Sequence, residues 1–196
     1  MRAQQRRRLF IIDAASGLVQ PVALDLDEHV ANPVWSPDGE SLVFVSTSAQ
    51  GPRLWRLQLD ASTPQPVSGP GWFEVIETPE GVFATNRNEP GIWRLEPGRA
   101  PELVLSGFRS SLDNAVLETQ REWAVANGRF YIMDRSVEGR ARILSRAIAG
   151  GPMTRVADVD GVLSGSLAVD PTTGDVVYRV GVEEQYDIAV IPYRRR

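Results

Sequence analysis

The 196-residue sequence contains no cysteine, which excludes disulfides and thiolate metal sites and leaves the redox compartment open. It contains one histidine, His29, so a site built on two histidines cannot form within one chain. Helical periodicity is nearly absent: no long stretch places apolar residues at i, i+3, i+4 and i+7 between good caps. No apolar run approaches the ~20 residues of a membrane-spanning helix. The basic start is followed by an apolar run of only Leu9 to Ile12, short of the ~7–15 residues at the heart of an export signal. There is no Gly-x-Ser-x-Gly nucleophile motif, since GVLSGS has the wrong spacing, and no Gly-x-Gly-x-x-Gly or phosphate loop. These absences lead us to expect a chain that is not an enzyme and holds no cofactor or metal.

Excess positive charge is lacking as well. Lys and Arg number 21 against 25 Asp and Glu, a formal net charge of -4. That balance offers no general attraction to nucleic acid or to an anionic membrane. Arginine runs close both ends, at residues 6–8 and 194–196. They read as solvated tails, 1–7 and 194–196, and direct nucleic-acid binding is not expected.

What is present is a β pattern. The chain is 42% hydrophobic and 23% charged, near the average of soluble globular proteins with a real core. Short runs of β-branched and aromatic residues, such as SLVFVS, RFYIMD, DVVYRV and DIAVIPY, are separated by Gly, Pro, Asp and Asn. Four segments share one layout of strand, glycine turn and strand: NPVWSPDGESLVFVS, FEVIETPEGVFATN, EWAVANGRFYIMD and SLAVDPTTGDVVYRV. Their turn glycines are Gly39, Gly81, Gly128 and Gly174, spaced by 42, 47 and 46 residues. A third and a fourth strand follow most of them, as in RLWRLQLDASTPQPVS and GIWRLEPGRAPELVLS, with Trp55 and Trp93 in matching places. Phe10 and Ser145 occupy the same place in RLFIIDAASGLVQPVAL and RILSRAIAGGPMTRVADV.

A unit of four short strands in roughly 45 residues is the signature of a β-propeller blade. With the strands named A to D from channel to rim, the chain holds C–D, three full units and A–B–C, which is seventeen strands. The expected organisation is a propeller over residues 8–193. It consists of a half-blade at 8–24, blades at 29–68, 71–106 and 115–159, and a partial blade at 164–193. A four-blade ring needs sixteen strands. Either VQPVAL pairs beside DIAVIPY and closes such a ring, or the chain is part of a larger one. We expect the second, an incomplete ring of about four blades whose open edges are an association surface for a homo-oligomer.

The stretch PVWSPDGESLVFVS followed by LWRLQL resembles the blade repeat of TolB-like, WD-related propellers. Ser36, Pro37, Asp38 and Gly39 match that family's turn in full, while TPEG, VANG and DPTTG are degenerate copies. The resemblance runs over residues 8–193 and implies fold more than function. The layout, with its paired LWRL and IWRL strands, is also similar to the C-terminal sensor propeller of CadC-like winged-helix transcriptional regulators. That resemblance implies the outer sensor part of a larger regulator, periplasmic if membrane-anchored and otherwise cytoplasmic. It would bind a protein, peptide or small ligand. Prolyl-oligopeptidase-type enzymes also carry propellers, so the alternative is a propeller gating a separate hydrolase domain. A third reading, a glycosidase or lyase, would work from Asp27, Glu28 and Asp113.

The Ser-Pro-Asp-Gly turn has a physical explanation. Pro37 pre-sets φ for the turn, Asp38 and Ser36 can hydrogen-bond nearby backbone, and Gly39 supplies the positive φ. Asp38 is therefore expected to fix shape rather than perform chemistry. Trp55, Trp93, Trp35 and Trp123 are expected to pack between sheets. Trp72, in the Gly/Pro-rich link SGPGW, is a candidate ligand contact instead.

In this architecture the D–A links and B–C loops share one face. They carry Asp25, Asp27, Glu28, His29, Arg87, Arg109, Asp113, Asp158 and Asp160. Asp27, Glu28 and His29 read as solvated loop charges before a cation site. DVDG, at 158–161, lacks the remaining ligands of a calcium loop. The candidate ligand or partner contacts are His29, Trp72, Arg87, Arg109 and Asp113.

Overall fold

The computed structural model describes residues 8–26, 29–108, 121–137, 140–159, 162–182 and 185–191. Among them are seventeen strands and no helix, in antiparallel sheets whose neighbours follow chain order. By contact the chain divides into two compact units, Met1–Arg109 and Ser110–Arg196.

The first unit holds three sheets. The first sheet joins β1 (Phe10–Ile12) to β2 (Val19–Pro21). The second comprises β3 (His29–Trp35), β4 (Ser41–Ser48), β5 (Gly51–Gln58) and β6 (Gln65–Pro70). The third comprises β7 (Trp72–Thr78), β8 (Gly81–Asn86), β9 (Gly91–Leu95) and β10 (Glu102–Ser106). The sheets pack face to face, as alternating side chains require. Val43, Val45 and Leu54 of the second sheet pack against Trp72, Val75, Val82 and Ala84 of the third. On the opposite face, Phe44 and Leu57 pack with Leu9 and Val30. Burial of this apolar surface is the main force holding the unit together.

The second unit holds two sheets. One comprises β11 (Trp123–Ala126), β12 (Arg129–Val137), β13 (Arg140–Ala147) and β14 (Thr154–Val159). The other has three strands, β15 (Val162–Val169), β16 (Val176–Val182) and β17 (Gln185–Ile191). Tyr131, Met133 and Ile143 of the first pack against Leu167, Val176 and Tyr178 of the second.

The tryptophans divide by partner. Trp93 packs in the core between the second and third sheets, and Trp55 packs beside Phe44 on the side facing β1–β2. Each thus faces the preceding sheet. Ser46 Oγ accepts the Trp55 indole N–H at 2.7 Å, and the Arg53 guanidinium lies 5.7 Å from its ring centroid. Trp123 is fully buried, as expected. Trp35 is not: it is 48% exposed. Val34, its neighbour, packs into the second–third sheet core, so the period of two turns Trp35 the other way at the strand end.

Candidate functional site

The turn after β3 is closed by its own side chains. Ser36 Oγ accepts the Ser41 N–H at 2.9 Å and donates to Asp38 Oδ1 at 2.5 Å. Asp38 Oδ1 also accepts the Glu40 N–H at 2.9 Å. Gly39 sits at φ +74°, a conformation that suits glycine. The Ser36 hydroxyl, and then the Glu40 amide, hold the Asp38 carboxyl below the usual carboxylate range. Asp170, in DPTTG, accepts the N–H groups of Thr172 at 2.7 Å and Thr173 at 3.3 Å, which lower its pKa likewise. Asp13 repeats the device with the Ser16 amide and hydroxyl at 2.6 and 2.8 Å, and its pKa is lowered by both. These acids are spent on turns.

Other charges are spent between strands. Arg56 on β5 bridges to Glu77 on β7 at 2.7 Å, tying two sheets, and also donates to Ser41 Oγ. Asn32, on a bulge of β3 at φ +51°, donates to the Phe73 carbonyl at 3.3 Å across the same pair of sheets. Arg142 pairs with Asp134 at 2.7 Å. Glu74, 1% exposed, accepts the Thr85 hydroxyl at 3.2 Å. Among the described residues no group of three His, Asp or Glu side chains could hold a metal ion.

The expected contact residues fare differently. His29 opens β3 opposite Thr47, half-buried, and its Nδ1 is enclosed with no hydrogen-bond partner among the described residues. Arg87 is exposed just beyond β8, and its N–H donates to the Gly71 carbonyl at 2.9 Å. Trp72 opens β7 opposite Asn86 at that same end of the sheet. It is a core residue rather than a ligand platform: 7% exposed, with its ring edge-on to Trp93 at 6.1 Å and 81°. The link SGPGW is shorter than it reads, because β6 runs to Pro70 and Gly71, at φ +103°, reverses the chain alone. That reversal carries Trp72 into the sheet. Asp25 is exposed, and Asp158 is exposed and paired with Arg155. Arg109, Asp113, Asp27, Glu28 and Asp160 lie outside the described residues.

A cavity of about 410 Å³ occurs in the second unit, lined by Arg121, Ser166, Leu167, Ala168, Val177, Tyr178 and Arg179. Its floor is the β15–β16 ladder, where Leu167 stands opposite Tyr178 and Ala168 opposite Val177. The Arg121 carbonyl accepts the Leu167 N–H at 2.8 Å and so anchors the rim. The wall is mostly apolar, and Ser166, Arg121 and Arg179 are among the residues that line it. This size and mixture suit a small ligand with an apolar body and an anionic end. Sequence reading passes over these residues because Arg121 stands just before the strand segment EWAVANGRFYIMD and DVVYRV reads as an ordinary strand. Only the fold sets Arg121 and Arg179 on one cavity.

Solved structures of similar fold share its blades. TolB from Acinetobacter baumannii aligns with 96% of the chain at a TM-score of 0.71 and 16% identity. A putative TolB from Agrobacterium tumefaciens aligns with 93% at 0.68 and 18% identity. The fold is that of a TolB-like β-propeller. A puromycin hydrolase aligns with 91% of the chain at 0.66 and 16% identity, but only 29% of that enzyme is covered. The chain spans 47% of the Acinetobacter TolB and 65% of the Agrobacterium one. No protein-family model and no curated protein sequence matches it.

Proposed function

We propose that this TolB-like chain is a non-catalytic binding module, the ligand- or protein-sensing part of a larger transcriptional regulator. The cavity over β15 and β16 carries the reading, since its wall is mostly apolar and both Arg121 and Arg179 line it. An anionic group would meet Arg121 and Arg179 while its apolar body lies on Ala168 and Val177. Several carboxylates support it by being committed elsewhere: Asp38 to its turn, Glu77 to a bridge between sheets and Asp134 to a bridge within one sheet. His29 and Arg87, at strand ends, are the proposed contacts for a protein or peptide partner, with Arg109 and Asp113 as further ones.

Calorimetric titration with apolar carboxylates, matched alcohols and matched amines tests this reading. The expected result is saturable binding of carboxylates, weakened about tenfold or more in Arg179→Gln. Equal binding of alcohols, or no binding by any member, would overturn the cavity as the site.

The likeness to a puromycin hydrolase favours one alternative, a propeller that gates a separate hydrolase domain. The encoding locus distinguishes the two. A winged helix and a membrane helix in the same reading frame support the regulator, and an α/β domain with Gly-x-Ser-x-Gly supports the gate.

A further inference from the structure

Two matching turns carry a side-chain carbonyl followed by glycine: Asp38–Gly39 after β3, and Asn127–Gly128 between β11 and β12. Such a pair is reactive where the glycine nitrogen can reach the side-chain carbonyl carbon, because glycine has no Cβ to block the approach. At Asp38–Gly39 both groups are occupied. The Gly39 N–H donates to the Ser36 carbonyl at 2.9 Å, and Asp38 Oδ1 accepts from Ser36 Oγ and the Glu40 N–H. At Asn127–Gly128 both are open. Asn127 is exposed, and among the described residues neither its carboxamide nor the Gly128 N–H has a hydrogen-bond partner. A Cβ placed on Gly128 would meet nothing within 4 Å. The two residues hold φ +52° and +68° in a tight turn closed by Ala126 opposite Arg129. Attack requires the peptide between them to rotate out of that geometry, so the rate follows local opening of an exposed turn. The other asparagines of the described residues are guarded. Asn32 precedes Pro33, which has no N–H. Asn86 precedes Arg87, whose N–H is committed to the Gly71 carbonyl, and Asn86 Oδ1 accepts the Asn88 N–H. Asn88 precedes Glu89, whose side chain crowds the approach.

We propose that Asn127 is a self-modifying site, which deamidates through a succinimide formed with Gly128 and so undoes the register between β11 and β12. The Gly128 nitrogen gives its proton to solvent base and bonds to Asn127 Cγ. The side-chain nitrogen takes up a proton and leaves as ammonia. Water then opens the ring at either carbonyl. Opening at Cγ leaves aspartate, and opening at the Asn127 backbone carbonyl leaves isoaspartate, with the chain routed through the side chain. The net exchange is one water for one ammonia, with no oxidant or reductant. Isoaspartate adds a methylene carbon to the backbone, and a turn of two residues cannot absorb it while keeping Ala126 opposite Arg129. A slip at Arg129 is costly. Its Nε donates to Ser145 Oγ at 2.7 Å and its Nη2 to Thr154 Oγ1 at 3.2 Å, which ties β12 to β13 and β14. Phe130 and Tyr131, next along β12, are buried.

Ageing the full chain in warm, mildly alkaline buffer, followed by peptide mapping, tests this. Asn127 is expected to convert at least about tenfold faster than Asn86 or Asn88. The rate should rise with pH, because the attacking nitrogen must lose its proton. In heavy-oxygen water the product should gain one heavy oxygen. An isoaspartate methyltransferase, used as a reagent, should label the aged parent and leave Asn127→Gly unlabelled. Gly-Gly suits the same turn, so Asn127→Gly should keep its urea midpoint through ageing while that of the labelled parent falls. Where that variant does not fold, the peptide map and the midpoint of the parent decide. Conversion of Asn86 or Asn88 as fast as Asn127 would overturn the proposal, as would an Asn127 that converts only in urea. Labelled chains that unfold at the midpoint of the fresh parent would overturn the loss of register. The inference stands apart from the ligand cavity, so failure of carboxylate binding leaves it untouched.

Discussion

The second and third sheets of the first unit are copies of one plan that spend their residues differently. In β3–β6 the A–B turn is locked by its own side chains, with Ser36 and Asp38 closing it over Gly39. In β7–β10 the corresponding turn is the two-residue Pro79–Glu80 loop, where Thr78 Oγ1 accepts the Glu80 N–H at 3.3 Å. The third sheet is instead tightened from within. Glu74 is buried against Thr85, and the Arg94 guanidinium lies 5.4 Å from the Phe83 ring centroid. Gly91 runs so close to β10 that a Cβ there would meet the Leu103 side chain and would lie 2.8 Å from the Leu105 carbonyl. Two blades of equal architecture can thus store their specificity in a turn or in a strand contact.

Truncating the core should erase the difference. Phe44→Ala and Phe83→Ala each remove a fully buried ring, and each is expected to lose about 3–5 kcal/mol by urea unfolding. Unequal losses would mean that one sheet can collapse around its cavity and the other cannot.

The glycines that open the third strands separate the two sheets more sharply. Gly51→Ala meets no atom within 4 Å, and only its φ of +102° opposes the change. Gly91→Ala adds a clash with backbone at a φ of +149°. The expected costs are about 1–2 kcal/mol for Gly51→Ala and about 3 kcal/mol or more for Gly91→Ala. Equal melting temperatures would contradict the close approach at β10.

The Arg56–Glu77 bridge connects the sheets, with side chains 28% and 10% exposed. Arg56→Ala should cost about 1–2 kcal/mol, less than a deeply buried pair and more than a surface one. A double-mutant cycle with Glu77→Ala should return a coupling term, and additivity would show that the bridge is incidental.

The smallest effects belong to the turns. Asp38→Ala should lower the urea midpoint slightly, and Glu80→Ala should not move it. The pH dependence has a definite sign. The carboxyl of Asp38 is depressed by Ser36 and Glu40, so on acidification the unfolded chain takes up this proton before the native one. Its stabilisation is therefore present above the ordinary carboxylate pKa of about 4 and is lost as pH falls through the lower native value. Parent and Asp38→Ala midpoints should converge in acid. A constant difference down to strongly acidic pH would contradict the hydrogen-bonded carboxylate.

The strands and turns are legible along the chain because their causes are local. Apolar alternation sets each strand, and Gly39 and the Asn127–Gly128 pair, all at positive φ, set reversals that a reader can mark residue by residue. The repeat of four strands follows from the spacing of those turns. Which face a side chain takes is not local. Trp35 reads as a packing ring and Trp72 as a link residue, yet the first is largely exposed and the second is buried against Trp93. A bulge at Asn32 and a single-residue reversal at Gly71 decide between them. The candidate cavity lies wholly beyond sequence reading, since Arg121 stands 58 residues from Arg179. The sequence alone determined a β-rich chain of repeated blades with turn-forming acids, because each of those is a property of neighbouring residues. Only the tertiary structure decided which aromatic rings are core and which arginines line a cavity, because each depends on the sheet that packs alongside.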